Sequence, residues 1–480
     1  MTGTSSTASG RTARLVAGHC GLEGVRRAVS DPLAHGLQPL LDQCLPARPG
    51  LAPPRLLRSK YKPGRKLTAY YTLEAGSDCR APRHIAVTWS TVPADLGEAS
   101  ALEPEAEARG LVEPFTQLVA ASPDGCLTLM TAPIDPAFPA LVRLYEPGYV
   151  TATASSLDRR STAGRGEVHT IRYRPGQRHV LRVVTAEAAG QLEVSPPASG
   201  GSIVKVYRDE TGALVTAVAA ALDAVLTASV PGVRPARSIG YVEADRAAWW
   251  AVEDGEPLWR RLSDPRAPEM LRRIGQAVRL VHEAGPVPVD SARPGAASWP
   301  GQASAHPWIP ALPRHDAFAE LAVTARAAEH IHGLLPHVGA RMRDVISRLG
   351  VALDARPAEP VTLTHGDLKC DNLLATQGEV RLIDLDRAAI AEPALDLGKF
   401  VADVSWWCDS LGVDARPAIS AFVDGYGPCD RVRLARARDL AVLFHLKLAA
   451  RRIPVHHPQW AERVVRAVRL AENAVAGGAR

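Results

Sequence analysis

Residues 364–386, THGDLKCDNLLATQGEVRLIDLD, constrain the fold more than any other stretch of the chain. The short apolar run at 380–383 reads as a strand ending on Asp384, and Gln377-Gly378 before it reads as the turn of a hairpin. Such a hairpin carries Asp384 back beside Asn372, while Asp367 sits five residues ahead of Asn372 on the preceding loop. Two carboxylates and an amide in this arrangement supply hard oxygen donors for a divalent cation and a base for an attacking hydroxyl. Phosphoryl transfer asks little more of a protein, because its loose transition state is served mainly by positioning and by charge neutralisation. The spacing therefore predicts Asp367 as the base, with Asn372 and Asp384 as ligands of a magnesium ion that accompanies ATP.

The order H-x-D-L-K-x-x-N followed by I-D resembles the catalytic loop and metal-binding segment of the kinase superfamily. Protein kinases usually carry Arg where this chain has Gly366. His365-Gly366-Asp367 is instead similar to the aminoglycoside phosphotransferase family, which includes maltokinase-like and choline-kinase-like small-molecule kinases. Asp396 in ALDLGKF resembles the Asp-Leu at the head of a helix with which that family's motif continues. The resemblance implies an α+β, bilobal protein-kinase-like fold, ATP and Mg2+ as cofactors, and a small-molecule hydroxyl as acceptor.

Lysine is scarce, seven residues against 49 arginines, so each one carries information. Lys205 alternates with β-branched residues in GSIVKVYRD, a strand pattern. The resemblance implies a lysine on the third small-lobe strand, where a compact ammonium reaches the α- and β-phosphates. A hairpin at 168–185 precedes it, with Gly176 in its Pro-Gly turn. That glycine either covers the phosphates or simply makes the turn. The alanine-rich helix expected at 213–228 offers only Asp223 where the family places a glutamate partner for the lysine. The strands of SIGYVEADRAAWWAVEDGEPL end in a segment resembling the hinge between lobes, which puts Val252 and Glu253 at the adenine, while Trp249 is read as core.

An amphipathic helix at 268–284 opens the large lobe, with His282 as a structural histidine. A long Pro-, Ser- and Gly-rich loop at 286–313 reads as a lid over the acceptor, and helices follow at 316–334 and 337–350 and again after residue 397. The N-terminal region contains an approximate repeat: KYKPGRKLTAYYTLEA at 60–75 resembles RYRPGQRHVLRVVTAEA at 172–188, and the strand after the first copy has no lysine equivalent to Lys205. The chain therefore divides into a disordered tail (1–15), an α+β cap (16–160) that either duplicates the small-lobe hairpin or holds an independent hairpin with the same turn residues, a small ATP-binding lobe (161–255) and a mainly helical large lobe (256–480).

Within the central motif, Lys369 either reaches the transferring phosphoryl group or is merely exposed. Asp386 either joins the metal shell or supports the loop, Asp396 reads as a cap or loop anchor, and His365 is expected to tie the loop to the metal-binding segment. For the acceptor, Asp403, Trp406 and Asp409 suit a sugar, an amino sugar or an aminoglycoside through stacking and ammonium pairing, although the same stretch has the spacing of a buried helix face. A peptide substrate docked on the cap and a nucleotide-binding pseudokinase remain as alternatives. The net charge of +5 is spread along the chain with no basic run, so nucleic acid is not implied. The seven cysteines form no C-x-x-C pair, and no secretory signal or membrane span is read from the sequence, so a cytoplasmic protein is expected.

Overall fold

The computed structural model describes residues 5–45, 52–74, 82–158, 166–184, 201–283 and 312–477. Helices α1 (Ser5–Ala17), α2 (Gly21–Ser30) and α3 (Gln38–Cys44) lead into strands β1 (Arg55–Lys62), β2 (Lys66–Leu73), β3 (Arg83–Ser90), β4 (Val119–Ala121) and β5 (Leu127–Thr131), and helix α4 (Pro147–Leu157) closes the cap. In place of the expected disordered tail, the chain is helical from Ser5, because Leu15 and Val16 bury their side chains in the core beneath the sheet. Alternation along β2 divides its side chains between two cores. Leu67, Ala69 and Tyr71 pack in the core shared with the N-terminal helices, while Tyr70 joins Val150 and Ala154 of α4 in a second core.

That second core also takes Leu181, Val204 and Trp249 from the next sheet, so cap and small lobe are built around common apolar contacts. The lobe contains β6 (Glu167–Arg172), β7 (His179–Val184), β8 (Ser202–Val206), α5 (Thr211–Ser229), β9 (Val233–Pro235), β10 (Ser238–Val242) and β11 (Ala247–Ala251). Strand order in the cap sheet is β1-β2-β3-β5-β4 and in the lobe sheet β6-β7-β8-β11-β10. Each is a three-stranded meander followed by a hairpin whose second strand pairs with the third, so the repeat seen in the sequence extends to a shared topology. Strand β3, which holds in the cap the place of β8 in the lobe, carries no lysine. By length and composition α5 could cross a membrane, which the sequence reading had not found in any segment. Here Val218 and Leu222 of α5 pack against Trp250 and Ala248 of the lobe.

The large lobe follows: β12 (Glu256–Pro257), α6 (Ala267–Glu283), α7 (Ala317–His332), α8 (Pro336–Asp354), β13 (Thr362–Thr364), β14 (Leu373–Ala375), β15 (Val380–Leu382), β16 (Ala389–Ala391), α9 (Pro393–Leu411), α10 (Arg416–Tyr426), α11 (Arg431–Arg451) and α12 (Trp460–Gly477). On α6, Leu271, Ile274, Val278 and Val281 form the buried stripe that the sequence spacing predicts. Strands β13 and β16 pair antiparallel and clamp the two ends of the loop between them. Strands β14 and β15 form the expected hairpin, and β15 also pairs in parallel with β9, which fastens the hairpin to the small lobe. The expected lid at 286–313 lies, but for its last two residues, outside the described residues.

Candidate active site

The loop after β13 is set by the residue that gave the motif its direction. Gly366 has φ +71°, and a Cβ there would lie 1.9 Å from the Arg387 carbonyl oxygen, so only glycine fits. Asp396, buried in the first turn of α9, accepts the backbone N–H of His365 at 2.6 Å and that of Gly366 at 2.9 Å. One carboxylate thus anchors the loop, and His282 braces it from behind at 3.3 Å. His365 Nε2 lies 3.2 Å from the Ile383 carbonyl oxygen, which links the loop to the hairpin strand. Ile383 N–H donates to the Asn372 carbonyl at 2.9 Å, and Asp384 then turns into the left-handed region at φ +64°.

Asp367 faces a cleft of about 1080 Å³ between the lobes. Its carboxylate receives Lys399 Nζ at 2.6 Å, Lys369 Nζ at 2.5 Å and Asn372 Nδ2 at 3.2 Å. Burial alone would raise this carboxyl, but Lys399 and then Lys369 outweigh it and hold the group far below the usual aspartate range. Lys205 donates to Asp384 at 2.9 Å and to Asp386 at 3.0 Å, and Tyr207 donates to Asp386 at 2.8 Å. Arg178, just past the β6–β7 turn, bonds Asp384 at 3.0 Å and also reaches Asp386. Against the effect of burial, Lys205 and Arg178 keep Asp384 ionised and well below its ordinary pKa.

The sequence-predicted residues divide between this cleft and other parts of the molecule. Lys205, Val252, Glu253, Asp367, Lys369, Asn372, Asp384 and Asp386 all line it. Gly176 does not: its N–H donates to Asp135 of the cap at 2.7 Å, while its turn neighbours Arg174 and Gln177 line the cleft. Asp223, the guessed partner of Lys205, is exposed on α5 near Thr227, and Asp384 and Asp386 take its place. The proposed acceptor contacts are also displaced. Asp403 is fully buried, accepts Cys370 N–H at 2.8 Å and pairs with Arg452 at 2.5 Å, so it supports the loop from behind. Trp406 packs with Ala449 and Ala467, and Asp409 pairs with Arg466 at the outer surface. A helix of 19 residues presents several faces, and the apolar spacing noted around Trp406 belongs to the buried one.

Residues that the sequence reading missed also line the cleft: Lys399 of α9, Lys447 and Arg451 of α11, and Arg58 and Arg174 from the cap and the lobe turn. The scarcity of lysine could have found two of them. All four lysines beyond the cap, at 205, 369, 399 and 447, line this one cleft.

The model of the phosphotransferase enzyme family, known by the abbreviation APH, matches residues 192–436, just over half of the chain. The chain belongs to this family. The protein is accordingly a phosphotransferase with an alcohol group as acceptor, that is, a kinase. Solved structures with a similar fold include choline kinase from Cryptosporidium parvum, at 12% identity over 69% of this chain and 97% of that one, with a TM-score of 0.43. A spectinomycin phosphotransferase solved with ADP and spectinomycin shows 11% identity over 64% and 92%, with a TM-score of 0.42. An aminoglycoside phosphotransferase from Streptomyces rimosus shows 18% identity over 61% and 98%, with a TM-score of 0.36. At these scores the likenesses add nothing to the family match. No curated protein sequence matches significantly.

Proposed function

We propose that the protein moves the γ-phosphoryl group of ATP to a hydroxyl of a small molecule, with Asp367 as the group that receives the hydroxyl proton. The observation that carries this reading is the meeting of Asp367, Asn372, Asp384 and Lys205 on one cleft, drawn from three separate elements. Its domain counterpart is a cap over 16–160, an ATP-binding lobe over 161–255 and a large lobe over 256–480, with Val252 and Glu253 at the adenine.

The donor set fits magnesium. Asn372 spends its amide nitrogen on Asp367, which leaves its amide oxygen for a cation, and Asp384 adds a carboxylate held in the ionised form. A hard ion that keeps several waters and takes one carboxylate plus phosphate oxygens suits this pair. Asn372 and Asp384 would hold it, and its charge would neutralise the phosphates during transfer. Lys399 and Lys369 hold Asp367 in the ionised form, with its carboxylate open to a hydroxyl proton. It orients the acceptor hydroxyl by accepting its hydrogen bond, and takes the proton once the new O–P bond has largely formed and ADP is leaving. Lys205 has ionic partners despite the missing helix glutamate, which favours a working enzyme over a pseudokinase. Free thiols at Cys20, Cys44, Cys370, Cys408 and Cys429 support a cytoplasmic setting.

Replacing Asp367 by Asn should lower turnover by roughly 10² to 10⁴, the usual scale for loss of a general base, and unchanged phosphorylation would sink the assignment. For Asp384→Ala, calorimetry should register no magnesium-dependent nucleotide binding. Wild-type MgATP affinity would remove Asp384 from the metal site.

A further inference from the structure

The acceptor end of the cleft carries an excess of positive charge that ATP alone does not require. Lysine and arginine side chains lining the cleft outnumber carboxylates two to one, and the carboxylates are Asp367 and Asp371 of the loop, Asp384 and Asp386 after β15, Glu253 and Asp209. The cleft continues, through Arg58, Arg174, Gln177 and Arg451, into a groove of about 450 Å³ between β1 of the cap and helices α7 and α11. Lys60, Lys62, Arg65 and Arg326 also line this groove, and His330 stands among them. Among the described residues no carboxylate lines it. Its inner wall is apolar, made by Ile331, Leu334, Val455 and Trp460.

A solvated basic face is the ordinary explanation for such a patch, and the contacts here oppose it. Surface arginines usually find carboxylates, as Arg341 does in Glu472 and Arg356 in Asp439. Arg58, Arg174 and Lys60 make no ion pair with any described residue, although burial lowers all three and neighbouring cations lower Arg174 and Lys60 further. Arg58 donates to the Arg451 carbonyl oxygen, Lys60 to the Gln177 amide oxygen, and Arg174 lies over the Tyr70 ring. Neutral partners position these cations without discharging them, an arrangement suited to an anion that arrives from outside.

The cations also form a continuous path from the reacting centre. Lys399 binds Asp367, and Lys399 and Lys447 both lie over the Phe444 ring, at 5.1 and 5.3 Å. Arg451 is one turn beyond Lys447 on α11, and Arg58 meets it there. Six of the seven lysines in this arginine-rich chain line the cleft or the groove.

We infer that the acceptor is an anionic small molecule, a hydroxyl compound that already carries a phosphate or a comparable dianionic group, seated with its hydroxyl at Asp367 and its anionic end in the groove under the cap. This rests on the phosphotransfer reading of the cleft and sets the acceptor apart from amino sugars and aminoglycosides, whose ammonium groups the row of cations would repel. The groove's volume is that of a small-molecule site, not of an extended chain. The cap, whose β3 carries no lysine where β8 of the lobe has Lys205, then serves as half of the acceptor site.

The test is a binding measurement on the full-length enzyme with its nucleotide site saturated by the non-hydrolysable analogue AMP-PNP and magnesium. The probes are glucose 6-phosphate, glucose, kanamycin and a decamer of glutamate. Glucose 6-phosphate should bind and weaken steeply with added salt, and the Lys60→Gln, Arg326→Gln double variant should bind it about tenfold or more weakly, with AMP-PNP affinity unchanged. Both residues line the groove and not the cleft. Tighter binding of glucose or kanamycin than of glucose 6-phosphate would overturn the proposal, as would a double variant that binds the phosphate ester like wild type. Binding of the glutamate decamer alone would assign the groove to an acidic peptide and also overturn it. A wild-type enzyme that fails to bind AMP-PNP at all would overturn the phosphotransfer reading itself, an outcome distinct from each of the others.

Discussion

Lys399→Met tests the electrostatics of the reacting centre most directly. Lys399 is held in a nearly buried setting, its side chain 10% exposed, and it contacts the Asp367 carboxylate at 2.6 Å, with Asp367 itself 20% exposed. Methionine keeps the length and apolar stem while removing the charge. Asp367 retains Lys369, so the loss is that of one charge-assisted hydrogen bond, about 1.5–3 kcal/mol, and not that of a fully stranded buried charge. Of the two cations, Lys399 is the stronger influence on the Asp367 pKa. Its removal therefore lets that pKa rise toward the ordinary range. Because Asp367 in the folded protein titrates below its unfolded value, its ion pairs stabilise the protein above the ordinary aspartate range and are lost as pH falls.

Two consequences are expected and can be measured separately. The thermal midpoint at neutral pH should fall by a few degrees, and the difference from wild type should shrink in acid. In steady-state kinetics kcat should fall roughly tenfold, the factor that corresponds to about 1.4 kcal/mol, and an acidic limb should appear in the pH–rate profile at higher pH than in wild type. The reasoning is refuted if the variant keeps the wild-type kcat with an unmoved acid limb. Lys399 would then be a packing residue and Lys369 the sole cation acting on the base.

Gly366→Ala should abolish activity and lower the thermal midpoint, because its Cβ would meet a backbone oxygen that cannot move aside; a variant with wild-type kcat would mean that the loop is more adaptable than its geometry implies. Asp409→Ala should leave the acceptor KM unchanged, since Asp409 faces Arg466 away from the cleft, whereas a raised KM would restore the acceptor site that the sequence suggested. Lys60 and Lys447 are each pulled down to about 8, burial being the largest cause for both. Lys60 is lowered further by Lys62, Arg451, Arg174 and Arg58, and Lys447 by Lys399 and Arg451 while Glu320 opposes. An anion seated among these groups raises both values, so its binding near pH 8 should take up protons, which calorimetry in buffers of different ionisation enthalpy will detect as a buffer-dependent heat.

The parts of this protein that were legible in its sequence share a physical character. The H-G-D-L-K-x-x-N run, the β14–β15 hairpin and the α6 stripe are local patterns, in which a few neighbouring residues fix both the conformation and the direction of the side chains. Lys205 was legible for a related reason, because strand alternation places it on one face of β8. What escaped were pairings between distant segments. Asp384 and Asp386 take the place of the helix glutamate across some 180 residues of chain, and nothing around Asp223 announces its absence from the site. Asp403 was misread because helical spacing gives the period of α9 without saying which face meets the loop, and it is the Cys370 N–H that captures it.

The acceptor groove is the extreme case of the same effect. In the sequence, the even spread of basic residues argued against a polyanionic partner, since no run of five or six stands out. Arg58 and Lys60, Arg174, Arg326, and Arg451 belong to four separate segments, none with an unbroken basic run of that length. The fold gathers them into one cavity, because pairing of β1 with β2 and packing of the cap against α7 and α11 bring those segments together. Even spacing along the chain therefore sets no limit on charge density in space. A cluster assembled in this way must be held by the tertiary structure against its own repulsion, and the lowered values at Lys60 and Arg174, the latter to about 10, are the signature of that work. An arrangement whose cations are kept close, partly dry and without carboxylates is stabilised by a bound anion, which is why the affinity for a phosphorylated alcohol and its proton uptake near pH 8 should rise and fall together across variants of the groove.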